Sequence, residues 1–496
     1  MANRQPRAEH VPGLDRRTVI EAGVGGLVLA RLPFAAGTAE AAVTEAGAKV
    51  TPNPIKPRIL PSGLAVELLS FSTPQHTKAE RPLAMLNHLY HAGDGSGRLF
   101  VADSRGKLWA IATRTGAPSL FLDLAAARAG HLLSDDSPKH QGLRTFAFHP
   151  DFNRPGRPGH RRLYTVNTEQ PAAPAGVPIL GDPALPLLHH DVVAEWRVGA
   201  DPARVDPSTR REVLRIRQYA AGHNADQLLF DPRLRPGQAG YGAMFIGVGD
   251  GKNNAPHPDP FDQAQNRARP LGKILRIDPL QHGDRSYTVP ADNPFVGRAG
   301  WLPEIWALGL RHPEFLCVDR SGSGPMIVAE IGQRNIEQLR FCLPGTNHGW
   351  PLREGTFVTD RYDQSTLYAL PADDARNGFT YPVAQYDHDE RNELSLVAVT
   401  GGFVCRGSAV PALRGYYLMG DIVTGRIYYV AVSSLRQGAQ AVLRELNLRR
   451  NGRPVTLTGL LGNPRADLRL GQDEAGEIYV LTKRDGKIRK LAPARA

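Results

Sequence analysis

Cysteine is scarce. The chain has only Cys317, Cys342 and Cys405, and no two stand as C-x-x-C. That excludes zinc ribbons and thioredoxin-like redox pairs, and without C-x-x-C-H there is no attached c-type haem. An odd count leaves no complete disulfide framework. One bridge can form, and buried free thiols are the simpler expectation. Long hydrophobic runs are missing as well. No stretch reaches the ~18 uncharged residues of a spanning helix, which excludes a polytopic membrane protein. Helical periodicity sustained over ~11 residues is hard to find. Basic residues outnumber acidic ones, 60 to 49, for a formal charge of +11. The positive residues are scattered, though, and form no long run interleaved with aromatics. The usual footprint of a nucleic-acid partner is therefore absent, and an arginine-rich solvated surface remains.

What the chain does have is turn formers. Its 51 glycines and 41 prolines among 496 residues exceed the roughly 12% of average usage. At its start, Asp15-Arg16-Arg17-Thr18 leads into a weakly apolar, glycine-rich stretch to about Ala30. Small residues from Ala35 to Ala42 follow. A charged region, a short apolar region and a small-residue cleavage region form an export signal. The Arg16-Arg17 pair resembles the twin-arginine type. Residues 1–42 are thus expected to be a leader, 43–57 a linker, and 58–496 the folded body, working in the periplasm or outside the cell.

From residue 58 onward, short β runs alternate with Gly/Asp turns. Pairs of runs recur as Arg98–Asp103 with Lys107–Ile111, Arg162–Val166 with Val192–Trp196, and Ala243–Val248 with Gly272–Ile277. Three more pairs follow: Pro325–Glu330 with Ile336–Phe341, Gly415–Met419 with Gly425–Val430, and Glu477–Leu481 with Gly486–Leu491. Spacings of this size suit four-stranded blades with long loops. The expected fold is all-β, a six-bladed β-propeller with long inter-strand loops. A pair of β-sandwiches is the alternative. A propeller brings loops from different blades around one mouth.

Four polar loops stand out. They are Lys139–Phe152, Gly222–Pro232 with Gly249-Asp250-Gly251, Pro303–Phe315, and Glu330–Glu337 with Asn347–Gly355. In this order, together with Thr400–Gly407, they resemble the glucose/sorbosone dehydrogenase family of pyrroloquinoline-quinone (PQQ) sugar dehydrogenases. The resemblance implies a PQQ- and calcium-dependent oxidoreductase. It would act on an aldose or polyol by base-assisted hydride transfer and pass electrons to an external acceptor.

The resemblance also assigns roles. His223 takes the place of the general base, and an imidazole suits it because its ordinary pKa lies near neutrality. Asp226, where the family has glycine, puts a carboxylate three residues away and is expected to raise the base's pKa. Gln141 matches a glutamine lining the active site. Arg311 would stabilise the developing oxyanion. Gln227, His312, Arg465 and Arg469 are the expected cofactor contacts. His312 replaces an asparagine, and Ala466 interrupts the family's Arg-x-Arg-Asp run. Val423 lies in a loop where the glucose-oxidising branch has lysine. Gly332 and Gln333 match the turn whose carbonyls hold calcium. His149 is expected to cap the turn before Pro150. A second reading is a non-catalytic propeller of the same family that binds a glycan or protein ligand. A third, a calcium-dependent lactonase, would need more Asp, Asn and Glu at the mouth.

Overall fold

A computed structural model describes residues 48–50, 54–55, 59–75, 83–134, 141–172, 176–251, 262–360, 366–388 and 397–494. The leader with Arg16 and Arg17 lies outside these residues. Part of the expected linker is pinned: Lys49 bridges Tyr368, and Ile55 N donates to Asp387.

The all-β expectation stands. Helices among the described residues are single turns, such as Leu124–Ala127 and Leu457–Leu461. No helix among them is long and apolar enough to cross a membrane. The three cysteines are buried free thiols. The strands form a 13-stranded sheet, a five-stranded sheet, two four-stranded sheets and a three-stranded insertion at 353–368.

Each of the expected strand pairs is an antiparallel neighbour pair. Arg98–Asp103 pairs Lys107–Ala112, Met244–Val248 pairs Lys273–Ile277, and Ile478–Thr482 pairs Lys487–Pro493. In front of each pair lies one more strand, which the sequence reading did not identify as a strand. These strands are Leu86–His91, Leu143–Phe148, Ala225–Phe230, Pro313–Cys317, Val399–Val404 and Leu468–Gln472. They touch one another in that order, and the last touches the first, so the contacts close on themselves. The second residue of several of them is a buried Arg, Asp or Glu: Arg144, Asp226, Glu314 and Arg469. Polar residues at these positions break the apolar alternation that marks a half-buried strand.

Away from this axis, sheets pack face to face through aliphatic side chains. Val166, Val193 and Ile216 of one sheet meet Leu228, Ile246 and Leu275 of the next. Full burial of each such side chain contributes roughly 1.5–3 kcal/mol. The strand Leu60–Ser72 pairs with two strands far along the chain. It runs antiparallel to Lys487–Pro493 and parallel to Arg444–Arg450.

Candidate functional site

The candidate residues gather where the chain enters the axial strands. His223 stands two residues before Ala225–Phe230, with φ +55°. That left-handed conformation is rare for a residue with a side chain and clusters at functional sites. It turns the ring inward, and the residue is buried. Nδ1 donates to Asp250 Oδ1 at 2.6 Å. Asp250 is held in turn: Trp350 Nε1 donates to Oδ2 at 2.9 Å. His312 stacks on the His223 ring, 4.6 Å between centroids and 12° from parallel. Gly249 makes the approach possible, because a Cβ there would lie 2.6 Å from His223 Cβ and 2.7 Å from His312 Nδ1.

Asp226 was expected to act on His223. It turns to the axis instead. Oδ1 accepts from Arg144 Nε at 2.5 Å and Oδ2 meets His312 Nε2 at 3.0 Å. Burial alone would raise its pKa, but Arg144 and His312 outweigh that and hold the carboxyl well below its ordinary range. The carboxylate that serves His223 is thus Asp250, which sequence reasoning quoted within a Gly-Asp-Gly turn but gave no role. Its signal was that turn lying next to the base's own strand.

Arg311 is buried beside this group. Its guanidinium donates to Gln333 Oε1 at 2.7 Å, to Ile331 O at 3.2 Å and to Gly332 O at 2.5 Å. It also lies 5.7 Å from the Trp350 ring centroid. Burial lowers its pKa from the ordinary arginine value. The 332–336 turn owes its shape to Glu354. Oε1 of that carboxylate accepts the backbone N–H groups of Gln333, Arg334, Asn335 and Ile336 at 2.8–3.1 Å. Gly332 is required there, since a Cβ would sit 1.9 Å from Ile336 O.

The other expected residues spread around the axis. Gln227 Nε2 donates to Tyr90 Oη at 2.7 Å, deeper along the strands. Arg469 faces Glu314 at 3.3 Å. Arg465 pairs with Asp467, which also receives Arg484. Gln141 is half-buried at the entrance to Leu143–Phe148. Val423 and Ala466 are both buried, and Ala466 N donates to Val423 O at 2.8 Å. His149 holds its turn as expected, with Nδ1 accepting from Asp151 N at 3.0 Å.

The donor set suits a polycarboxylate better than a metal. Lys483 is buried near Arg469 and Arg144. Burial first, then those two cations, lower its pKa well below the ordinary value. Arg144, Arg469 and Lys483 are the cations that could meet the carboxylates of PQQ, with Asp226 and Glu314 beside the two arginines. A calcium ion does not fit the 331–333 turn with Arg311 in place. The guanidinium already takes the Gly332 carbonyl and the Gln333 side-chain oxygen. Glu354 is spent on backbone amides, and Glu330 on Arg340 and the Arg311 N–H. Among the described residues no group of His, Cys, Asp and Glu is arranged to hold a metal.

Comparison with known proteins gives the family and the fold. The family model described as Glucose / Sorbosone dehydrogenase matches residues 94–490. HIPL1 protein of Arabidopsis thaliana is 27% identical over 71% of this chain and 53% of its own length. Hedgehog-interacting protein of Mus musculus is 26% identical over 79% of this chain and 48% of its own. The chain therefore spans about half the length of these relatives. The soluble aldose sugar dehydrogenase of Escherichia coli in its apo form has a TM-score of 0.59 at 20% identity, covering 86% of this chain and all of that one, 100%. The PQQ-bound aldose sugar dehydrogenase of Streptomyces coelicolor has 0.55 at 18%, covering 87% and 99%. At these identities the structures carry the fold, and the sequence match carries the family. The chain belongs to the glucose/sorbosone dehydrogenase family.

Proposed function

We propose that this chain is a PQQ-dependent oxidoreductase acting on an aldose or related polyol, built as a six-bladed propeller around the closed set of axial strands. The observation that carries the reading is the buried His223–Asp250 pair, backed by Trp350. With its Nδ1 proton directed at Asp250, neutral His223 has its lone pair on Nε2, the form a general base needs. Asp250 fixes the tautomer and stabilises the imidazolium that forms when the substrate hydroxyl gives up its proton. The stacked His312 ring restricts rotation of His223. Arg311 supplies positive charge at a water-poor position beside the base. Bound PQQ would supply the hydride acceptor. Arg465, Arg469 and Lys483 are the groups that would hold its carboxylates, with His312 and Gln227 nearby on the axis. Gln141 would line the substrate's approach. Electrons would leave to an external acceptor, and Arg16 and Arg17 would direct export to the periplasm or beyond.

The test is to titrate the purified chain with PQQ in the presence of a calcium chelator, then add aldoses and follow the quinone absorbance. Bleaching in the wild type, slowed about 10²–10⁴-fold in His223→Ala, supports the reading. PQQ binding with unchanged reduction in the variant removes the base assignment. A chain that binds no PQQ supports the second reading, a non-catalytic propeller that binds a glycan or protein ligand. What favours that reading is Arg311 lying on the turn expected to hold calcium, together with the name of one relative, Hedgehog-interacting protein.

A further inference from the structure

The opposite ends of the axial strands carry a second feature. A cavity of about 450 Å³ opens there, within the ~300–1,000 Å³ range of small-molecule sites. Its walls are aromatic: Tyr90, Phe146, Phe148, Phe230 and Phe403. Tyr90 meets Phe146 edge-on at 5.5 Å and Phe403 at 6.0 Å. None of Arg144, Asp226 or His223 lines this space.

The rim is basic. Arg154, Arg235 and Arg320 come from three different loops and are exposed. No carboxylate among the described residues pairs with any of them. Arg154 lies 5.9 Å from the Tyr241 ring centroid, and Arg235 donates to its own loop at Pro232 O and Leu234 O. On the acidic side, Asp231 is bound by Arg233 at 2.7 Å. Glu474 accepts from Gly95 N at 3.2 Å. Of the polar groups at the wall, Gln472 Nε2 is spent on Val404 O and Gly476 O.

We propose that this cavity binds an aromatic carboxylate, its ring among the aromatic walls and its carboxylate at the arginine rim. Ring–ring contacts favour a flat aromatic body, and guanidinium groups favour a carboxylate. The site stands apart from His223 and does not depend on the dehydrogenase reading.

The test is calorimetric titration of the full chain with naphthalene-2-carboxylate and, separately, naphthalene-2-carboxamide. The carboxylate should bind at one site, at least ten-fold more tightly than the amide. Arg154→Glu/Arg235→Glu/Arg320→Glu should weaken the carboxylate at least ten-fold and leave the amide unchanged. Ala147→Trp, which fills the cavity, should abolish both. If that variant does not fold, Phe403→Ser should weaken both instead. His223→Ala should bind like wild type. Equal binding of acid and amide, no binding of either, wild-type affinity in the triple variant, or loss of binding in His223→Ala would each overturn the proposal.

Discussion

In the proposed reaction His223 moves the proton and Asp250, bonded to its Nδ1, positions it. Asp250→Asn should lower turnover by roughly 10²–10⁴ while leaving substrate KM little changed. It should also move the lower limb of the pH–rate profile to lower pH, since the carboxylate favours the charged imidazolium. A purely structural role for Asp250 would leave that limb in place. Two other histidines bear on stability. Burial lowers the pKa of His149 to about 4 and that of His348 to about 3, against about 6.5 in an unfolded chain. The unfolded state therefore binds more protons between these values and about pH 6.5. Stability falls as pH drops through that window, by about 1.4 kcal/mol per pH unit for each histidine. Denaturant unfolding at pH 7 and pH 5 measures the decline, and His149→Gln should make it shallower.

The 332–336 turn shows how one carboxylate fixes an element. Glu354 gathers four backbone N–H groups, which sends the neighbouring carbonyls of Ile331 and Gly332 toward Arg311. Glu354→Ala should cost about 2–4 kcal/mol, several charge-assisted bonds being lost together. Amide exchange should speed up at Gln333 to Ile336 first. Since Arg311 already meets Ile331 O, Gly332 O and Gln333 Oε1, millimolar calcium should leave the melting temperature unchanged, whereas a ligand bound only by the folded state would raise it. This element was half legible in the sequence. Arg311 and the Gly332-Gln333 turn were picked out separately, but the guanidinium's place on the carbonyls was not seen, because hydrogen bonds to main-chain oxygen leave no mark on residue type. The outer strands were legible from their apolar runs, as at Arg98–Asp103. The axial strands were not, because Arg144, Asp226, Glu314 and Arg469 face one another across the axis and read as loop chemistry.

At the scale of the molecule, the two ends of the axial strands are unlike. One holds ionised pairs and the His223 group, and the other an aromatic cavity with a basic rim. The repeat spacing suggested the all-β architecture, whereas the difference between the ends rests on contacts between strands far apart in sequence. The strand Leu60–Ser72 completes the structure by pairing on both sides. Deleting residues 60–72 should leave two open sheet edges, and such edges invite association. The shortened chain should elute as aggregates and lose its single cooperative unfolding transition. Lysine at both Arg16 and Arg17 should leave uncleaved precursor inside the cell, read by fractionation and immunoblotting.

That closing strand also sets a timetable. Its residues are among the first described ones to leave the ribosome, yet its partner Lys487–Pro493 is among the last. The nascent chain must hold the strand without that partner until residues 487–493 have been made. Contacts this distant in sequence are slow to form, and exposed strands in the interval are prone to wrong pairing. A chain cut short anywhere before residue 487 lacks the latch, and chaperones and proteases would meet it as an unfinished product.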